Sequence, residues 1–361
     1  MKPEVLLIEP YYGGSHRAFT DGLRRYVPGS YHLLCMPPRK WKWRMRGSAL
    51  YFAEELQAHP MIGTDVLFCS SFLGLADFKA AAPAYSAVPS IAYFHENQLT
   101  YPVRVEDERD FHFGLTNVTT CLAADVACFN SRYNLESFLE AVERLLAKMP
   151  DCRPARLVEG LHSKSRVLAP PIDYSAFDGA GHGTGKVPRI LWNHRWEHDK
   201  NPEGFFDALY RLAGQDVPFE VSILGERFAG EPAAFAEARE RLGRRVVHFG
   251  YLPDRAAYAK AVAEADIAVS TANHEFFGMS MLEASYAGCF PLLPRRLSYP
   301  EIFPDEFLYE DERDLVRRLH RLLAETPERG RARNIAERYS WERMASEYEA
   351  LLEESMRSRR M

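Results

Sequence analysis

The sequence has no Cys-x-x-Cys pair, no Asp-x-Asp, no internal repeat and no long low-complexity tract. Its scattered cysteines (Cys35, Cys69, Cys121, Cys128, Cys152 and Cys289) argue against a thiolate metal site or a disulfide framework. They fit reduced, mostly buried thiols in a cytoplasmic protein. No apolar run approaches the roughly 20 residues of a membrane span, and Val5–Ile8 before Glu9 is too short for a signal-peptide core. Excess positive charge is missing too. The 45 Lys+Arg against 50 Asp+Glu leave a net charge of −5, which excludes a chain that coats nucleic acid generally but permits a local basic face. Apolar material is ample: 47% hydrophobic over 361 residues, enough for two domains of roughly 150 to 200 residues each.

Short apolar runs rich in β-branched residues alternate with stretches of helical spacing. Val5–Ile8, Tyr31–Met36, Asp65–Ser70, Ser90–Phe94 and Asp125–Ser131 read as strands of a first parallel sheet. Arg189–His194, Phe219–Glu226, Val246–Leu252, Asp266–Ser270 and Phe290–Leu293 read as a second. Leucines and Phe138 within Tyr133–Leu146, and leucines within Leu315–Leu323, form helical core stripes. Asp178–Lys186 is rich in glycine, with no strand immediately before it and no capped helix after it. It reads as a linker rather than a phosphate loop.

Open α/β sheets bind ligands beyond the carboxyl ends of their strands, where helix N-termini supply free amides. Several polar clusters fall at such positions. Gly13 and Gly14, followed by His16, open a helix after the first strand. His95, Glu96 and Asn97 follow the fourth. Asn273–Pro291 runs as loop, helix, turn and strand, with Glu275 before the helix, Phe277, Gly278, Met279 and Ser280 at its opening, and Glu283 two turns inside. Between Pro37 and Gly47, the residues Arg39, Lys40, Trp41, Lys42, Trp43, Arg44 and Arg46 interleave basic charge with two indole rings and show no core-helix period. That composition suits phosphates and unstacked bases. A solvated loop whose tryptophans pack on the domain fits the residues equally well.

The Glu-x7-Glu spacing of Glu275 and Glu283, with Phe277-Gly278 and Glu283-Ala284, resembles the donor-sugar signature of retaining glycosyltransferases of the GT-B fold. Arg195 and Lys200, five apart after a strand, match that fold's diphosphate-gripping pair. The resemblance implies an α/β protein of two Rossmann-like domains facing a cleft, with a C-terminal helix crossing back to the first. The expected divisions are an acceptor-side domain over 1–175, a linker over 176–187, a nucleotide-sugar domain over 188–340 and a crossing helix with a basic tail over 341–361.

The first domain goes further. Glu9–His16, the Pro37–Arg44 run and Phe94–Gln98 resemble the tRNA-queuosine mannosyltransferase family. The resemblance implies mannosyl transfer, with retention, from GDP-mannose to queuosine in a tRNA anticodon, in the cytoplasm and away from membranes. It implies that Gly13, Gly14, Arg195, Lys200, Gly225, Glu275, Phe277, Gly278, Met279, Ser280 and Glu283 line the donor site. His95 contacts the transferred sugar or the acceptor. His16, Glu96, Asn97 and the basic, Trp-bearing run face the RNA. Of these, His95, Glu275, Arg195 and Lys200 are expected to carry catalysis. No cofactor or metal is expected, because fixed Arg and Lys charges can stabilise the leaving diphosphate. The alternatives are another nucleotide sugar with a lipid or saccharide acceptor, a sugar-nucleotide epimerase of the same fold, and a non-catalytic tRNA-binding module.

Overall fold

The computed structural model describes residues 2–102, 110–181, 185, 187–227, 232–325 and 327–358. The chain divides into two compact units, Met1–Ile172 with Trp341–Met361, and Asp173–Ser340.

The first unit holds β1 (Glu4–Glu9), β2 (Ser30–Cys35), β3 (Val66–Ser70), β4 (Ser90–Phe94), β5 (Val126–Phe129) and β6 (Ser165–Val167), in the order β2-β1-β3-β4-β5-β6. Every pairing is parallel. β3 and β4 are buried at every position, which is why their sequences are apolar without alternation. The edge strand β2 is only partly covered.

The chain's last helix, Trp341–Ser358, belongs to this unit. Trp341 is fully buried and stacks on Tyr26 at 5.7 Å. Tyr348 Oη donates to Ala169 O at 2.8 Å. The helix Gly14–Tyr26 approaches so closely that a Cβ on Gly22 would lie 2.1 Å from Trp341 Nε1. Glycine is needed there for helix contact.

The basic, tryptophan-bearing run departs from its expected loop. Trp41 starts a helix that continues to Ala58. Its buried face is Met45, Ala49, Phe52, Ala53 and Leu56, a spacing visible only when the window extends past Gly47.

The second unit holds β7 (Arg189–Asn193), β8 (Glu220–Leu224), β9 (Val246–Gly250), β10 (Ile267–Val269), β11 (Phe290–Pro294) and β12 (Leu308–Tyr309), in the order β12-β11-β10-β7-β8-β9. These pairings are parallel as well. Residues 182–184 and 186 of the glycine-rich stretch lie outside the described residues. Its start is packed: Phe177, just before it, is buried against Tyr258, and Asp178 accepts from Tyr286 Oη at 2.8 Å. Among the described residues, no helix is long and apolar enough to cross a membrane.

In each sheet the chain leaves in opposite directions from one strand, and ligands of open α/β sheets sit at such points. The two points are β1/β3 in the first unit and β7/β10 in the second.

Candidate active site

In the second unit, residues after β7 and β10 meet. Lys200 is 6% exposed, and its Nζ donates to His274 O at 2.7 Å. The ammonium also lies 3.3 Å from Glu275 Oε2 and 3.2 Å from Asp199 Oδ2. Burial pushes the Glu275 carboxyl up, but the Lys200 cation, with neighbouring histidines, outweighs it and brings the pKa to about 2. Glu275 is therefore an anion at neutral pH. His194, at the end of the same strand region, is lowered to about 4 by burial and by the Lys200 charge. Its Nε2 has no hydrogen-bond partner among the described residues.

Gly278, at φ 95°, turns the chain into the helix Met279–Tyr286. A Cβ there would meet the Tyr299 ring at 2.8 Å, so both conformation and space call for glycine. Met279 and Ser280 are half-buried at the helix opening, whose free amides favour an anion. Phe277 behaves differently. Its side chain is 3% exposed and packs edge-on against Tyr339 at 5.3 Å, so it braces the turn instead of lining a binding face.

Glu283 is held by two groups that sequence reasoning missed. Arg255 Nη2 donates to Oε1 at 2.6 Å and Tyr258 Oη to Oε2 at 2.8 Å. Asn193 Nδ2 donates to Tyr258 Oη at 3.1 Å and to Ser280 O at 3.2 Å, tying β7 to the helix. Arg195 is half-exposed and pairs with Glu197 at 3.3 Å. At Gly225 a Cβ would lie 1.8 Å from His194 O, so the exits of β7 and β8 run in direct backbone contact.

The first unit has its own buried ion cluster, at the ends of β1, β3 and β4. Glu9, unassigned from the sequence, ends β1 with its side chain 3% exposed. Its Oε1 accepts from Ser70 Oγ at 3.1 Å and Tyr11 N at 2.8 Å. Its Oε2 faces His16 Nδ1 at 3.2 Å, and His16 Nε2 faces Glu96 Oε2 at 3.4 Å. Burial pushes His16 down, but the two carboxylates push harder and bring its pKa to about 10. It stands as an imidazolium between two carboxyl groups. The His95 ring lies 4.3 Å from that of His16. Burial and the neighbouring imidazolium hold it well below the usual histidine range, so it is neutral.

Glu9, His16 and His95 offer ligand atoms within 4.8 Å of one another, a set able to hold a divalent metal. Both nitrogens of His16 already face carboxylates, so a metal would have to displace one of those contacts.

Gly13 precedes the helix of His16, and a Cβ on it would lie 2.4 Å from Pro38; Gly14 takes φ 53°. Asn97 requires a correction as an RNA-facing residue. It is fully buried, donates to Asn134 Oδ1 at 2.9 Å and accepts from Thr100 N and Oγ1 at 2.9 and 3.0 Å. It anchors a turn, as polar residues after buried strands often do.

The aromatic run splits. Trp41 is half-buried against Phe113 and Phe72, with Met45 behind it. Trp43 is 69% exposed. Arg39, Lys40 and Lys42 are exposed around it, and Arg44 is half-buried with its Nε donating to Pro37 O at 3.2 Å. Arg46 pairs with Asp110 and lies 4.6 Å over the Phe113 ring.

Residues 4–172 match the family model described as tRNA-queuosine alpha-mannosyltransferase N-terminal, and residues 181–339 match glycosyl transferases group 1. A tRNA-queuosine alpha-mannosyltransferase of Drosophila melanogaster is 41% identical over 332 residues, spanning 88% of this chain and 86% of that protein. A GDP-mannose-dependent alpha-(1-6)-phosphatidylinositol dimannoside mannosyltransferase of Mycobacterium tuberculosis (strain ATCC 25177 / H37Ra) is 30% identical over 171 residues, covering 45% of this chain and 44% of that one. Among solved structures, sucrose-phosphate synthase from Thermosynechococcus elongatus superposes with TM-score 0.73 at 17% identity, covering 99% of this chain and 100% of that one. Anabaena HepE in complex with UDP gives TM-score 0.70 at 14% identity over 98% and 100%. At these identities the two structures speak for the shared fold.

Proposed function

The chain belongs to the tRNA-queuosine alpha-mannosyltransferase family, and from that premise we propose that it transfers mannose from GDP-mannose to queuosine in a tRNA anticodon, in the cytoplasm and with retention of configuration. The observation that carries the donor half is the meeting of Lys200, Glu275 and the start of the Met279–Tyr286 helix at the β7/β10 switch point. The name of the mycobacterial relative, which is GDP-mannose-dependent, supports the choice of donor.

In this reading the bond between mannose C1 and the β-phosphate oxygen breaks, and a bond from C1 to an acceptor hydroxyl oxygen forms. The hydroxyl proton ends on the leaving phosphate. Negative charge growing on that phosphate meets Arg195, Lys200 and the amides of residues 278–280. These groups are fixed in place beforehand and so need little reorganisation. Glu275, ionised and immobilised by Lys200, holds a sugar hydroxyl. Glu283, oriented by Arg255 and Tyr258, holds the ribose. Neutral His95 accepts a hydrogen bond from the sugar or the acceptor. Trp43 and the basic residues around it meet the RNA, the ring by stacking and the cations by phosphate contact.

Lys200 and Arg195 occupy the role a divalent cation plays in metal-dependent transferases, so the reaction proceeds without metal. Loss of activity on EDTA treatment, restored by Mn²⁺, overturns that point.

The test is incubation of the protein with GDP-mannose and queuosine-containing tRNA, then mass spectrometry of the nucleosides. Queuosine carrying one added hexose is the expected product. Absence of product while GDP-mannose still binds overturns the acceptor. Binding of a different nucleotide sugar in its place overturns the donor.

A further inference from the structure

The transfer just described uses one member of the first unit's ion cluster, His95, and leaves three unexplained. Glu9 is engaged inside the protein, with both oxygens facing Ser70, Tyr11 and His16. His16 passes that contact outward to Glu96. Glu96 carries the array toward solvent: its side chain is 19% exposed, against 3% for Glu9 and 6% for His16. Beside them, His95 Nε2 is buried with no hydrogen-bond partner among the described residues, although the residue is only 7% exposed. A buried imidazole nitrogen without a partner costs free energy unless a ligand supplies one.

A carboxylate and a neutral imidazole nitrogen both accept hydrogen bonds. Turned toward a nucleic acid, a carboxylate repels phosphate, so its place in an RNA-modifying site needs a reason. A ligand group that is cationic and rich in donors supplies one. Queuosine carries such a group, a secondary amine protonated at neutral pH and bearing a cyclopentene diol. We propose that Glu96, braced by His16 and Glu9, is the acceptor-specificity residue, taking the ammonium of queuosine while His95 Nε2 takes a neighbouring hydroxyl. The inference rests on queuosine being the acceptor. In this arrangement Glu9 and His16 are positioning residues, holding the Glu96 carboxylate in one orientation before the acceptor arrives.

The test compares two acceptor stem-loops, one carrying queuosine and one carrying its ether analogue, in which oxygen replaces the amine nitrogen. Wild-type protein with GDP-mannose should prefer the amine by about 10²-fold in kcat/KM, the worth of one charge-assisted hydrogen bond in a partly dry site. Glu96→Gln keeps the size and an oxygen for His16 but removes the charge. It should lower kcat/KM for the amine by about the same factor, and leave the ether substrate and the KM for GDP-mannose within about twofold. A wild-type enzyme that treats amine and ether alike overturns the proposal without recourse to any variant. So does a Glu96→Gln enzyme that keeps the preference, or one that loses both acceptors and the donor equally. Transfer by wild type to neither stem-loop overturns the acceptor reading itself.

Discussion

Two buried ion clusters invite comparison. In the first unit, His16 lies between Glu9 and Glu96 at the β1/β3 switch point; in the second, Lys200 lies between Asp199 and Glu275 at β7/β10. Each is a cation flanked by two carboxylates beyond the carboxyl ends of a parallel sheet. The cations differ in kind. Lys200 is a compact charge beside a helix N-terminus, suited to a polyanion that gains charge during reaction. His16 is a flat ring that donates at both edges and lies 4.3 Å from a second imidazole, tilted 40° to it, suited to fixing the direction of hydrogen bonds. In the proposed transfer, one geometry thus serves charge stabilisation in one half and orientation in the other.

The largest test of that contrast is Lys200→Ala. It leaves buried Asp199 and half-buried Glu275 without their shared cation. Unfolding in urea should show a loss of about 3–5 kcal/mol, the cost of orphaning a buried charge. The same variant should lose about 10²-fold or more in kcat/KM, since the proposed diphosphate contact goes too. Near wild-type kcat/KM in a folded Lys200→Ala protein would remove the lysine from the donor site.

The next test uses the glycines that shape the two loops. A Cβ at Gly225 meets backbone, His194 O at 1.8 Å, whereas a Cβ at Gly13 meets the Pro38 ring at 2.4 Å. Backbone cannot step aside as a ring can. Gly225→Ala should therefore cost the larger part of a range of about 1–3 kcal/mol, with Gly13→Ala clearly cheaper by thermal denaturation. Equal costs would mean that the loop at Pro38 is as rigid as the strand exits.

A smaller effect separates the tryptophans. Trp43→Ala should raise KM for tRNA about tenfold, the worth of one lost base stack, with unchanged Tm and unchanged KM for GDP-mannose. Trp41→Ala should instead lower Tm, because Trp41 packs on Phe113 and Phe72. A reversed pattern would place the RNA contact elsewhere.

The smallest effect at any one pH step is the pH dependence of stability, and it has opposite signs in the two clusters. His16 is raised from 6.5 to about 10 in the folded protein. Its contribution is complete below pH 6.5 and is lost as pH rises toward 10. Glu275 is lowered from 4.5 to about 2, so its contribution is complete above pH 4.5 and is lost as pH falls toward 2. His16→Gln should flatten the alkaline slope of urea midpoints and leave the acid slope alone. Glu275→Gln should do the reverse.

Much of the fold was legible because buried parallel strands write themselves as apolar runs. Ser90–Phe94 read from the sequence is the strand observed, and Arg189–His194 and Phe290–Leu293 differ from theirs by single residues. The motif from Glu275 to Glu283 was legible because its parts are close in the chain: Gly278 and Glu283 belong to one turn and one helix. The Trp41–Ala58 helix was missed because its apolar stripe lies mostly beyond the basic run that drew notice. Asn97 misled for a different reason. A polar residue after a strand can serve a ligand or a turn, and only its bonds to Asn134 and Thr100 tell which. Arg255 and Tyr258, 28 and 25 residues before Glu283, leave no local pattern to find.

Two parallel α/β units, the helix that opens at Gly278 and a family resemblance resting on short contiguous motifs are all written in the order of residues alone. These follow from interactions between near neighbours in the chain, which periodicity and turn chemistry record. Tertiary contacts alone bring Glu9, Ser70, His16 and Glu96 into one array, and half-bury Trp41 against Phe113 and Phe72 while leaving Trp43 exposed. Glu9 and Glu96 are brought to one sheet end by strand order, and their fields raise the pKa of the buried His16 between them. Neither the order of strands nor the depth of burial is a property of any stretch of sequence read alone.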